Sequence, residues 1–169
     1  MKPVNFDYAR PADVGAVLDL LKDDTRLVKL IAGGQSLGPM LNMRLVQPDL
    51  VVDLTSVTEL KRIEERADEI VVGACITHAD IEDGRVPDVT RGALPKVANG
   101  IAYRAVRNRG TIGGSLTHAD PSADWVSMLS AVGARVTLRG PSGSRTLPVE
   151  DYMLGALEAD LAPGEILVS

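Results

Sequence analysis

Residues 110–124 read Gly-Thr-Ile-Gly-Gly-Ser-Leu-Thr-His-Ala-Asp-Pro-Ser-Ala-Asp and concentrate groups that could hold a ligand. Gly110, Gly113 and Gly114 carry no Cβ, so a bound group can approach bare backbone N–H groups. Thr111 and Ser115 add hydroxyls. Pro121 and the run from Ser122 to Ala131 read as the start of a helix. A glycine loop feeding a polar turn and a helix suits an anion such as a pyrophosphate. Residues 31–39, Ile-Ala-Gly-Gly-Gln-Ser-Leu-Gly-Pro, repeat the design after a short apolar strand over Leu27–Ile31. Two such loops in one small chain could grip two parts of one extended phosphorylated ligand; two unrelated tight turns are the competing reading.

Other chemistries find little support. The histidines are His78 and His118 and the only cysteine is Cys75, with no spacing that pairs them as zinc ligands. One cysteine cannot hold an iron–sulfur cluster. There is no Gly-x-Ser-x-Gly elbow, and neither glycine loop carries the Gly-Lys-Ser/Thr of a Walker loop. His78 reads as a solvent-exposed residue of a capped helix. His118 reads either as a turn histidine satisfied by backbone or as a ligand contact. Arg104, Arg107 and Arg109 precede the second loop and could meet a phosphate or a neighbouring subunit, but a solvated strand face is favoured for Arg104. No self-sufficient set of catalytic acids and bases emerges, so any chemistry would come from a bound cofactor that the protein positions.

The scaffold must fit 169 residues, which suits one domain or two small lobes. Hydrophobic residues make up 45% and charged residues 24%, an ordinary balance for a globular protein. A net charge of −5 argues against a general nucleic-acid or anionic-membrane surface, and 3% aromatics against a base-stacking platform. The lone cysteine fits a reducing compartment. No apolar run reaches membrane-spanning length, and the N-terminus lacks a signal-peptide core, so a cytoplasmic protein is expected.

Several elements can be placed. Pro11 and Asp13 open a helix with Val14, Val17, Leu18 and Leu21 on one stripe. Leu27–Ile31, a short helix over 37–46 and Leu50–Leu54 form a β–α–β unit with parallel strands. Leu60–Glu65 and Ile70–Ile76 flank a tight turn. Thr77 and Asp80 outline a capping box for a helix stopped at Asp83-Gly84. A broken helix occupies 88–102, and Tyr103–Arg109 crosses to the central loop. Arg135–Arg139 and Arg145–Leu147 flank a Gly140–Gly143 hairpin turn, followed by a helical turn over Glu150–Ala156 and a strand from Glu165. The chain stops in or just after that strand, as expected of a piece cut from something longer.

With both loops in view the sequence resembles the flavoprotein (medium) subunit of molybdenum hydroxylases, the family of the carbon monoxide dehydrogenase medium subunit and the FAD domain of xanthine dehydrogenase. The resemblance rests on Ala32-Gly-Gly-Gln-Ser-Leu37, Arg107-Asn-Arg-Gly-Thr-Ile-Gly-Gly-Ser-Leu116 and His118-Ala-Asp-Pro-Ser-Ala-Asp124, with weaker support from Val72-Gly-Ala, Thr77-His78 and Gly164-Glu-Ile-Leu167. It implies an α+β fold, a two-lobed FAD-binding domain of the vanillyl-alcohol-oxidase/PCMH-like type. A small parallel β-sheet lobe would span 1–55 and a larger antiparallel β-sheet lobe with helices 56–169, the family's C-terminal domain being absent. By position, Ile31, Ala32, Gly33, Gly34, Gln35, Ser36 and Leu37 match one FAD loop, and Thr111, Ile112, Gly113, Gly114 and Ser115 the other. Ile101, His118, Asp124 and Leu167 match further cofactor contacts, with no catalytic or metal-binding residue. The implied activity is that of an FAD-dependent oxidoreductase subunit, inactive alone, passing electrons to an external acceptor. Its partners would be a molybdopterin-binding large subunit and a 2Fe–2S small subunit, which alone carry those cofactors. A non-redox nucleotide-binding or assembly module of the same fold is the alternative.

Overall fold

Three short extended segments near the N-terminus pair side by side. In the computed structural model, which describes residues 1–169, β1 (Asp7–Ala9), β2 (Val28–Ile31) and β3 (Leu50–Asp53) form a parallel sheet in the order β1-β3-β2. Parallel pairing requires crossovers. Helix α1 (Val14–Leu20) links β1 to β2, and α2 (Leu37–Asn42) links β2 to β3. Asp13 is the N-cap of α1, accepting from Ala16 N at 2.8 Å, and Val14 and Val17 turn inward. The central strand β3 buries Leu50, Val51 and Val52, as a strand flanked on both edges and covered by crossovers must.

Two 3₁₀ turns, Leu54–Ser56 and Thr58–Lys61, lead onward, so Leu60 is a buried turn residue rather than the start of a strand. There follow the hairpin of β4 (Ile63–Glu65) and β5 (Ile70–Val72), then α3 (His78–Glu82), α4 (Ala93–Gly100) and α5 (Arg104–Arg107). Helix α3 carries the complete capping box: Thr77 Oγ1 accepts from Asp80 N at 3.0 Å, and the Asp80 carboxylate accepts from Thr77 N at 3.0 Å. Residues 104–107, expected as an extended crossing, are helical because Tyr103 O accepts from Val106 N and Arg107 N. Two further helices are α6 (Ile112–His118) and α7 (Asp124–Ala131).

The antiparallel part is divided rather than one larger sheet. β6 (Arg135–Gly140) and β7 (Gly143–Pro148) pair around the Gly140–Gly143 turn; α8 (Val149–Tyr152), the hairpin of β8 (Met153–Gly155) and β9 (Glu158–Ala159), and β10 (Ile166–Leu167) complete the chain. The main sheet has the order β10-β6-β7, while β4-β5 and β8-β9 remain two-stranded. Strands of two or three residues with mostly exposed side chains have too little buried face to extend a sheet.

Two apolar cores result. The larger contains Ala74, Ile76, Ile112, Leu116, Trp125, Leu138, Tyr152 and Leu167; the smaller contains Val14, Val17, Leu50, Val52, Leu60, Cys75 and Ile166. Neighbouring residues divide between the cores at the turn that Ile76 N closes onto Gly73 O, and along β10. Cys75 points into one core and its neighbours Ala74 and Ile76 into the other, as do Ile166 and Leu167. A bond from Ala74 N to Val168 O at 3.0 Å ties these two segments together along the boundary.

Helix α6 lies tightly on that boundary. A Cβ at Gly113 would fall 2.5 Å from Ala74 Cβ and 2.7 Å from Ala74 O. Replacing Gly113 by Val therefore overpacks the core, at a cost of about 1–3 kcal/mol or more. At about 2–4 °C per kcal/mol for a chain of this size, a calorimetric scan of Gly113→Val should show a melting midpoint lowered by several degrees.

Candidate functional site

The second glycine stretch is a helix start. Thr111, extended at φ −116° and ψ 152°, is the N-cap of α6, and its Oγ1 accepts from Gly114 N at 3.1 Å. The remaining first-turn donors are also engaged: Ile112 N with Ile76 O, Gly113 N with Ala74 O and Ser115 N with Thr111 O, each at 3.0 Å. The N–H groups of Gly110, Gly113 and Gly114, expected to be bare, are thus occupied by the protein itself, Gly110 N donating to Val106 O at 2.7 Å. Two of the glycines answer to packing. Gly113 presses on Ala74, and a Cβ at Gly110 would lie 2.8 Å from the His78 ring. Gly114 alone is exposed.

The first glycine stretch differs. Residues 32–36 turn from the carboxyl end of β2 into α2, at the edge of the parallel sheet where α/β folds receive ligands. Gly34 takes φ +70°, a conformation that favours glycine. The backbone N–H groups of Gly33, Gly34, Gln35 and Ser36 donate to no acceptor within the protein. The Gln35 side chain folds back instead, Nε2 donating to Gly33 O at 2.9 Å. A run of successive unengaged N–H groups around a left-handed residue is an anion-binding concavity.

The two stretches meet. A Cβ on Gly33 would sit 2.1 Å from Arg109 O and 2.7 Å from Gly110 Cα, and the Cβ position of Gly114 lies 4.0 Å from Ala32 Cβ. Residues 31–37 and 110–115 therefore pack against each other, with Gly114 exposed at the edge. Ser36 is exposed and Ser115 half-buried, while the Thr111 and Ile112 side chains are buried. The other sequence candidates lie farther out. His118, half-buried, ends α6, and exposed Asp124 opens α7 after the left-handed Ala119 and the Asp120–Ser122 turn. Ile101 caps α4 and packs on the larger core; Leu167 is buried in that core on β10.

The basic cluster is largely spent on structure. Arg107, buried, gives Nε and Nη2 to Glu82 at 2.7 and 3.0 Å, and Nη1 to Ile101 O and Ala102 O at 3.0 and 3.1 Å. That clamp holds Ile101 beside Ala102, whose φ is +44°. Arg104 grips Asp83 with both terminal nitrogens at 2.6 Å, so it is a paired helix residue rather than a solvated strand residue. The hydrogen bond from Arg107 holds the Glu82 carboxyl down at about 2. Burial lifts the Cys75 thiol to about 11, which leaves it protonated and inert.

His78 departs from expectation. It is 5% exposed, and its Nδ1 accepts from Trp125 Nε1 at 3.0 Å. Burial, reinforced by the Arg107 charge, lowers its pKa to about 4. Thr77 and Asp80 signal the helix on which it sits, but nothing local signals Trp125 or Arg107 as its surroundings.

Comparison with known proteins extends this picture. The model of a family described as the FAD binding domain in molybdopterin dehydrogenase matches residues 4–169. Subunit alpha of the 6-hydroxypseudooxynicotine dehydrogenase complex of Paenarthrobacter nicotinovorans is 39% identical over 99% of this chain and 57% of its own length. The carbon monoxide dehydrogenase medium chain of Hydrogenophaga pseudoflava is 36% identical over 99% of this chain and 58% of its own. A chain of quinoline 2-oxidoreductase from Pseudomonas putida 86 superposes with a TM-score of 0.94 at 42% identity, covering 99% of this chain and 59% of that one. The chain thus spans less than three-fifths of the length of each of these relatives.

The buried His78 gives a pH signature. Its ordinary pKa of about 6.5 applies in the unfolded chain, which binds a proton that the folded chain refuses until the pH approaches 4. This contribution makes stability fall as the pH drops from about 6.5 to about 4, and level off below. Urea midpoints measured across that range should slope accordingly, and His78→Asn should flatten the slope.

Proposed function

The chain belongs to the family of FAD-binding domains of molybdopterin dehydrogenases, and from that membership we infer that its two glycine stretches hold the diphosphate of FAD. The observation that carries this reading is the run of four unengaged N–H groups at Gly33–Ser36, set against Gly110 and Gly114. Such donors stabilise a diphosphate without a lysine. Residues 31–37 supply most of the donors. Residues 111–115 supply a shaped wall, with the Ser115 hydroxyl and the Gly114 surface facing the ligand. Thr111 and Ile112 act by fixing that wall, through the cap and through burial. Ile101, held by Arg107, and Leu167 supply apolar contact, while His118 and Asp124 suit polar groups farther along the same extended cofactor.

The two cores support a two-lobed arrangement of the PCMH-like type, with the parallel lobe over 1–55 and the remainder over 56–169. The smaller core nevertheless takes Leu60, Cys75 and Ile166 from beyond residue 55. The chain is read as the flavin-bearing part of an oxidoreductase assembly whose partners are a molybdopterin-binding large subunit and a 2Fe–2S small subunit. Bound FAD would supply the redox chemistry, accepting electrons from the iron–sulfur partner and yielding them to an external acceptor. This chain binds and orients the cofactor and contributes no acid, base or nucleophile. No helix is long and apolar enough to cross a membrane, and a cytoplasmic location accords with the lone reduced cysteine.

Titration with FAD, followed by flavin fluorescence, should show saturable binding. A Cβ at Gly114 would stand 2.8 Å from the capping Thr111 Oγ1, so Gly114→Val should weaken binding more than about tenfold and also lower the melting midpoint by a few degrees through the disturbed cap. Failure of the wild-type chain to take up FAD would remove the cofactor role.

A further inference from the structure

We propose that His78 is a positioning residue for this site: its imidazole edge sets where Gly110 lies, and through Gly110 the spacing of the two glycine stretches. The ligand named below rests on the FAD reading, whereas the mechanics rest on packing alone. Three contacts form a continuous column. Trp125 Nε1 donates to His78 Nδ1 at 3.0 Å, with ring centroids 5.9 Å apart and planes tilted by 39°. The opposite edge of the imidazole, Cδ2 and Nε2, lies 2.8 Å from where a Gly110 Cβ would stand. Gly110 Cα in turn lies 2.7 Å from where a Gly33 Cβ would stand. Peptide bonding locks the column, since His78 N donates to Gly110 O at 2.9 Å and Ile112 N to Ile76 O at 3.0 Å.

The fit explains a residue that the cofactor reading leaves unused. Trp125 Nε1 donates to His78 Nδ1, which places the proton of the neutral ring on Nε2, on the edge facing Gly110. Once so oriented, the ring is a flat, rigid plate that cannot swing aside. Its depressed pKa keeps that plate uncharged at neutral pH. The His78→Asn side chain can present its Oδ1 to Trp125 but leaves nothing under Gly110. The Gly110→Ala substitution places a methyl where the ring edge lies, and the backbone there is not in the left-handed region.

The test is a double-mutant cycle on the chain carrying His78→Asn, Gly110→Ala and both, read by FAD titration and by deuterium uptake of the peptide spanning 106–116. Each single variant should weaken FAD binding about tenfold and speed uptake in that peptide. The double variant should recover a large part of both, because the methyl introduced by Gly110→Ala occupies the space the ring edge vacates. Unchanged uptake in His78→Asn, or strictly additive losses in the double variant, would overturn the proposal. If the wild-type chain takes up no FAD but uptake follows the expected cycle, the cofactor reading fails and the positioning role of His78 stands.

Discussion

A backbone-to-backbone contact governs the arrangement: Gly33 rests directly on Arg109 and Gly110. With the Cβ position of Gly33 only 2.1 Å from Arg109 O, no other residue fits there without moving one stretch off the other. The contact is made between the end of the parallel sheet and the segment that opens α6. Glycine here serves approach of chain to chain as much as approach of chain to ligand. The same holds beneath it, where Gly110 meets His78 and Gly113 meets Ala74. Gly33, Gly110 and Gly113 are thus points at which separate layers of the protein touch.

That packing creates a division of labour between the two stretches. The α6 start has satisfied its own donors, with Thr111, Ile76 and Ala74 taking the N–H groups of residues 112–115. The bend after β2 has satisfied almost none. Such donors are costly when buried without a partner; Gly33 is buried, while Gly34 and Gln35 are half-buried and Ser36 is exposed. Charge agrees with this. The chain carries −5 overall, and Arg104 and Arg107, which lead into α6, are neutralised by Asp83 and Glu82. In the proposed site, attraction for a diphosphate would come chiefly from the unengaged peptide donors of Gly33–Ser36.

Local signals are legible in the sequence and paired ones are not. The β2–α2–β3 unit, the Thr77–Asp80 capping box and the Gly140–Gly143 hairpin each follow from residues within a few positions of one another, and each is present. The two loops are legible as related, and the structure brings them together. Helix α6 is not legible, because Gly113 and Gly114 in its first turn oppose helix formation. Tertiary acceptors at Ile76 and Ala74 override that preference. The burial of His78 depends on Trp125, 47 positions away, and the burial of Arg107 on Glu82, 25 positions back. Neither pairing leaves a trace in spacing.

The boundary between the two cores shows why the site can be rigid although it is assembled from distant segments. Residues 74–76 and 166–167 each send alternate side chains into opposite cores. Separating the cores would expose both sets at once, so the boundary is held by burial on its two sides. Ala74 also receives Gly113, and through it fixes where α6 begins. The position of the α6 wall is thus set by the cores, and the position of the donor-rich bend by the end of β2 in the parallel sheet. On the proposed reading, a ligand entering between them would find both already in place, and the ordering cost that would otherwise weaken its binding would have been met during folding.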